Sequence, residues 1–474
     1  MPTSIDQVLT RVAKRVVPTH EEREKIARLS QRFSVLIAKI LTDAGFDAEV
    51  SVQGSVARDT WLRGEGDLDF FARFPPTMPR DVWTNNVLPI IRANLRDYRI
   101  IERYTEHPFL EFHDEGVLIN IVPSYKVEKG QWKSATDRTP FHTEYMKSHL
   151  TPEMRLEARL LRRFMKGIQA YGAEIRVGGF SGMLTETLIL YHGSFQETLG
   201  QASDWKAGVF IDVEKNYQNL QGVPERLQSD LVVIDPVDPE RNLAASVRPT
   251  KLWSFVVAAQ QFMKTPGLQY FYPRESEPRS KLQFRNKVEA SGYEIAVVAF
   301  KHSPVVVDVL WGQLMRLEKS LIEMMERNDF EILRSDVWSD EKRNSIIIFE
   351  TGRTRLPQVR RHQGPPVWNK IDGEAFLHRH WGVRDTIRGP WPLIDRWVVD
   401  KKRRAVFLRD LLALSIRDKS YGLVVPAQLE EGFRKTAKLL EAKEVLALLN
   451  LKGFGKTLWQ FMEARPSWLT KSRS

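Results

Sequence analysis

Asp67 and Asp69 open the apolar segment DLDFFARF, and a Gly54-Ser55 pair with Arg58 stands upstream, directly after the β-rich stretch AEVSVQ. This conjunction restricts the chain more than any overall property. Carboxylates two positions apart on a strand point to one face, so Asp67 and Asp69 can hold hard cations between them. A Gly-Ser turn that opens a short helix, VARDTW, presents free N–H groups and the Ser55 hydroxyl to a phosphate, which Arg58 can neutralise. Together these are the parts of a triphosphate–magnesium site, in which two metal ions align an attacking oxygen with phosphorus and stabilise departing pyrophosphate. An isolated D-x-D more often marks a solvated strand end, so the combination carries the reading.

None of the 474 residues is cysteine, which excludes disulfide frameworks, thiolate zinc sites, iron–sulfur clusters and cysteine nucleophiles. Metal chemistry must therefore use oxygen or imidazole. No G-x-x-x-x-G-K-[ST] phosphate loop occurs, which disfavours kinases and P-loop ATPases. The net charge of +11 is uneven, because residues 401–474 hold 16 Lys and Arg against 7 Asp and Glu. Attraction for polyanions is concentrated at that end. RTRLPQVRRHQGPP (353–366) and RWVVDKKRRAV (396–406) interleave arginines with apolar and aromatic residues, a pattern suited to phosphates and the shallow groove of an RNA duplex. The N-terminus lacks the continuous apolar run of an export signal, and apolar stretches such as IAVVAF (295–300) are strand-sized. The expectation is a soluble, cytoplasmic protein with no membrane contact.

Periodicity divides the chain into an α+β multidomain arrangement. Helical spacing covers residues 5–45 with a break at Pro18, and short strands are predicted at 48–53, 67–74, 98–104 and 117–126. This makes a small mixed-sheet domain over residues 1–145. Helical spacing returns in RLEARLLRRFMKGIQAYG and GMLTETLILYHGSFQET, so a helical central domain is expected over 146–262. After the turn-rich PRESEPRS, a strand, a helix and two strands predict an α/β body over 263–351, completed by 421–474, where LEEGFRKTAKLLEAKEVLALL reads as helix. Residues 352–420, rich in Arg, Pro and Trp, form a basic tail region.

Beyond these patterns, long ordered segments resemble a known family. They are QGSVARDTWLRGEGDLDFF, TEHPF (105–109), INIVPSYKV, KSATDRTPFH (133–142), YGAEIRVGGFSG (171–182), YHGSF and VIDPVDPERNLAAS (233–246). The chain resembles the archaeal-type (class I) CCA-adding enzymes, tRNA nucleotidyltransferases. The resemblance implies a polymerase-β-like nucleotidyltransferase domain and template-independent addition of CCA to the 3′ end of tRNA, with CTP and ATP as substrates and Mg2+, two ions, as cofactor. It also implies tRNA as partner and a homodimer. By the same resemblance Ser55 and Arg58 correspond to triphosphate contacts, and Asp67 and Asp69 to metal ligands. His142 and Tyr171 correspond to nucleotide contacts. Arg162 replaces the family's usual lysine near the phosphates, so a guanidinium fork stands in for a point charge. Arg241 corresponds to the arginine that defines the incoming base, since a donor aimed at an unprotonated ring nitrogen accepts cytosine and adenine and rejects uracil and guanine.

One position departs from the pattern. The third carboxylate implied by the resemblance, which helps to activate the 3′-hydroxyl, falls on Asn120. An amide oxygen coordinates weakly and takes no proton near neutral pH. The natural enzyme tolerates this residue, or Asn120 is an inactivating substitution, or the chain is a catalytically silent tRNA-binding relative; the retained Ser55, Arg58, Asp67 and Asp69 place them in that order. A poly(A)- or oligoadenylate-type transferase is the enzymatic alternative.

Overall fold

The computed structural model describes residues 4–104, 107–274, 280–290 and 292–469. The first residues of TEHPF and most of the PRESEPRS turn lie outside these. The chain forms two compact units, residues 1–275 with 465–474, and residues 276–464. Among the described residues no helix is long and apolar enough to cross a membrane.

The first unit begins with two helices, Ile5–Val16 and His20–Asp43, separated at Pro18. Thr19 caps the second, with its side chain accepting from Glu22 N–H while Glu22 reaches back to the Thr19 amide. Five strands follow: β1 (Glu49–Gln53), β2 (Leu68–Phe74), β3 (Ile101–Tyr104), β4 (Pro108–Asp114) and β5 (Val117–Tyr125). They form a mixed sheet in the order β1-β2-β5-β4-β3, in which only β2 and β5 run parallel. Phe70, Leu110, Phe112, Ile119 and Ile121 point from one face into a core closed by Leu29, Phe33 and Ile37 of the long helix. The intervening residues, among them Asp69 and Asn120, occupy the opposite face. The face turned away from this core thus carries a row of partly buried polar side chains.

A second core in the same unit is helical. Phe164, in helix Pro152–Gly167, packs edge-on against Phe195, Phe255, Phe262 and Phe271. Val8, Val12 and Val16 of the first helix join this cluster, as does Trp468, which packs against Tyr270. A two-stranded parallel pair, β6 (Val209–Ile211) and β7 (Leu231–Val233), lies at its edge. The structure therefore draws limits other than those expected. The expected end at 262 falls within helix Pro249–Lys264, because Phe262, Tyr270 and Phe271 complete this core.

In the second unit β8 (Glu294–Lys301), β9 (Ile332–Ser339) and β10 (Asn344–Thr351) make an antiparallel sheet with helix Val307–Arg327 packed on one face. A separate sheet holds β11 (Val359–Pro366), β12 (Thr386–Leu393) and β13 (Arg396–Lys402), with β13 in the middle. The expected helical end is only partly helical. Residues 427–436 form a helix, but Lys438–Glu441 is a strand, β14, which pairs antiparallel with β8 and sends Leu439 and Leu440 into the cores on the two faces of that sheet. The tail region is not wholly separate either, since Leu408, Leu411 and Leu412 bury in the core beneath β8 and β10.

Candidate active site

The site is built where β1 ends and β2 begins. Gly54 adopts φ +74, and a Cβ there would lie 2.3 Å from Asp69 Oδ2, so only glycine lets the turn pass this close to the carboxylate. The helix after it is short, Gly54–Ala57, and carries Ser55. Asp69 lies within β2, whereas Asp67 immediately precedes the strand. Register sets Asp69 opposite Asn120 of β5 and opposite Gln53 of β1. Asn120 Nδ2 donates to Asp69 Oδ1 at 2.9 Å, while Asn120 Oδ1 is buried without a partner. Desolvation is the main influence raising the pKa of both aspartates; the neighbouring Asp69 charge adds to it at Asp67, and at Asp69 the Asn120 hydrogen bond and the Arg58 charge oppose it. Arg162 lowers both in turn.

Arg58 does not stand free. Its Nε donates to Glu186 Oε2 at 2.6 Å, both side chains are buried, and the Thr60 hydroxyl donates to the other Glu186 oxygen. Arg162 lies over the Tyr171 ring, 5.0 Å from its centroid, and Lys166 over the same ring at 5.6 Å. Burial raises the Tyr171 pKa.

A second cluster lies in the loop after β7. Asp235, fully buried, accepts from His142 Nε2 at 2.8 Å, from an Arg241 Nη at 2.9 Å and from the Val237 amide at 3.0 Å. Burial alone would raise the Asp235 pKa, but these donors and the cationic neighbours outweigh it and leave the carboxyl below its ordinary value. His142 and Arg241 are thus tied together through one carboxylate. In the second unit the two basic segments become adjacent strands, with Arg360 opposite Lys401 and Val359 opposite Lys402. Arg360, His362, Lys401, Lys402, Arg403 and Arg404 line one cavity there.

Three family profiles match in order along the chain: the nucleotidyltransferase domain at residues 35–142, the second domain of tRNA nucleotidyltransferase at 156–272, and the C-terminal domain of the CCA-adding enzyme at 291–437. The CCA-adding enzyme of Pyrobaculum neutrophilum is 35% identical over 89% of this chain and 97% of its own length. Those of Methanosarcina acetivorans and Methanopyrus kandleri are each 32% identical, over 92% and 98% of the chain and 94% and 98% of their own lengths. The chain belongs to the CCA-adding enzyme family.

Within this member of the CCA-adding family, Ser55, Arg58, Asp67, Asp69, Asn120, Arg162 and Tyr171 are linked by contact, register or charge around the β1–β2 turn. His142 and Arg241 gather around Asp235. Sequence reasoning missed Glu186 and Asp235. Asp235 stood in the quoted VIDPVDPERN segment, where an acidic residue between apolar ones signals a buried acceptor; Glu186, within a leucine-rich helix, offered only its lone charge. Asp114 and Glu115 pair with Arg32 and Arg28 of the long helix. Among the described residues no three acidic or histidine side chains converge as a metal cage.

Proposed function

We propose that this chain completes the 3′ ends of tRNA with C, C and A from CTP and ATP. The observation that carries this reading is the pair of carboxylates, Asp67 and Asp69, at the start of β2, with Asp69 packed against the Gly54-Ser55 turn, in a chain of this family. The RNA 3′-hydroxyl attacks the α-phosphorus of the nucleotide and gives up its proton to solvent, the bond from that phosphorus to the bridging oxygen breaks, and pyrophosphate leaves.

The donor set fits a hard divalent cation such as Mg2+. Asp67 and Asp69 would provide carboxylates, and Asn120 Oδ1, buried without a partner, would add an amide oxygen. When bound, Mg2+, as two ions, supplies charge stabilisation of the transferring phosphoryl group. The chain's own residues do the remaining work. Ser55 and the backbone of the Gly54 turn bind the triphosphate, and Arg162 adds positive charge beside it. Arg58 positions the turn through Glu186 and lends its charge. Tyr171, held beneath Arg162, offers a flat surface to the nucleotide. His142 and Arg241, oriented by Asp235, read the base edge. The paired basic strands β11 and β13 bind the tRNA backbone.

A second reading is favoured by Asn120 itself, which hydrogen-bonds to Asp69 where an acidic side chain would repel it. On that reading the chain binds tRNA without extending it. The test is incubation with tRNA lacking its terminal CCA, Mg2+, and labelled CTP and ATP. Addition of two C and one A supports the transferase. Absence of extension, with tRNA still bound and activity restored by Asn120→Asp, identifies an impaired site. No extension even then identifies a binding protein. Extension by ATP alone indicates a poly(A)-type enzyme.

A further inference from the structure

The row of side chains that starts at Asp69 does not stop at Asn120. Glu111 of β4 stands directly opposite Asn120, just as Asn120 stands opposite Asp69. Directly paired residues share a sheet face with Cβ atoms about 5 Å apart, so Asp69, Asn120 and Glu111 form one transverse line. The neighbours of Glu111 along its strand, Leu110 and Phe112, are buried in the core, which sends Glu111 to the active-site face. Its side chain is only 15% exposed, and Oε1 accepts from an Arg103 Nη at 2.9 Å. Other acids near this end of the sheet are engaged elsewhere: Asp114 and Glu115 by the long helix, and Glu102 by Arg92.

We propose that Glu111 supplies the third negative charge of the cation site, standing one strand away from the position that lacks it. The inference rests on the cation-site reading above. Glutamate is a methylene longer than aspartate, and its carboxylate can lean across the Asn120 amide toward Asp69. A divalent ion attracts it more strongly than the single charge of Arg103 does. Arg103 therefore holds the carboxylate in reserve and competes with the cation for it.

The experiment is a titration of the full-length chain with Mn2+, read by electron paramagnetic resonance of the free ion, with thermal melting of each variant as a folding check. Glu111→Gln is expected to weaken Mn2+ binding on the order of tenfold. Arg103→Gln removes the cation that competes for Glu111 and is expected to tighten it. In an Asn120→Asp background the effect of Glu111→Gln shrinks, because the charge at 120 is then present. Unchanged affinity in Glu111→Gln overturns the proposal. So does weakening in Arg103→Gln to the same degree as in Glu111→Gln, since the ion pair would then be acting as a brace. If neither the native chain nor Asn120→Asp binds Mn2+, the cation-site reading falls and this inference with it; if the native chain binds and only the Glu111 effect is missing, this inference alone is lost.

Discussion

Replacing Glu186 by alanine strips the hydrogen-bonded counter-charge from a guanidinium that is almost wholly buried. The Arg58 side chain is 8% exposed and that of Glu186 4%, with 2.6 Å between Nε and Oε2. Removing one partner of such a pair costs about 3–5 kcal/mol, because the remaining charge stays buried and unpaired. The Thr60 hydroxyl loses its acceptor as well, which adds about 1 kcal/mol. For a unit of this size about 2 °C of melting temperature is lost per kcal/mol, so the transition of the first unit should fall by about 8–12 °C. Differential scanning calorimetry measures this directly. Glu186→Gln keeps the shape and an acceptor for Thr60 and should fall between the native chain and Glu186→Ala. The double replacement Arg58→Met with Glu186→Leu should recover most of the loss, since an apolar pair carries no desolvation penalty. A loss below about 1 kcal/mol in Glu186→Ala, or a double variant no better than the single one, refutes the argument that an unpaired buried charge sets the cost.

Asp235→Asn removes the charge that orients His142 and Arg241, an interaction of about 1.5–3 kcal/mol, and discrimination of CTP and ATP against UTP and GTP should fall roughly 10- to 100-fold in competition assays of kcat/KM. Gly54→Ala puts a methyl group against Asp69 at a backbone φ that costs a side chain about 1–2 kcal/mol; turnover should fall on the order of 100-fold as the carboxylate is displaced. The folded-state pKa of Asp235 lies below its unfolded value, so its stabilisation is present above about pH 4 and is lost as pH falls through the folded pKa. Acid titration followed by circular dichroism should therefore show the native chain losing stability more steeply below pH 4 than Asp235→Asn does.

The local chemistry was readable from the amino acids, while pairing across distance was not. Gly54, Ser55 and Asp69 lie close in the chain to the turn and strand signals that placed them, whereas Asn120 was tied to the site only by the family resemblance. The partner of Arg58 did not, because Glu186 reaches it only after a helix packs beside the sheet. The strand β4 went unread because Pro108 opens it and charged residues close it, leaving the Leu110–Phe112 alternation too brief to stand out. KLLE read as helix from its leucines; pairing with β8 decided otherwise, as tertiary contacts override weak local preference in short segments. Val8, Val12 and Val16 announced a helix by their spacing, yet nothing in the spacing said that they would pack on the phenylalanine cluster rather than the sheet.

The seat of Trp468 against Tyr270 has a consequence for how the protein is made. A ribosome releases the phenylalanine cluster early, but the piece that finishes its packing emerges only after all of the second unit has been synthesised. Until then the nascent first unit carries an incompletely covered aromatic surface that a chaperone can grasp. A message cut short within the second unit would thus yield a protein whose first unit also lacks the residue that completes its aromatic core.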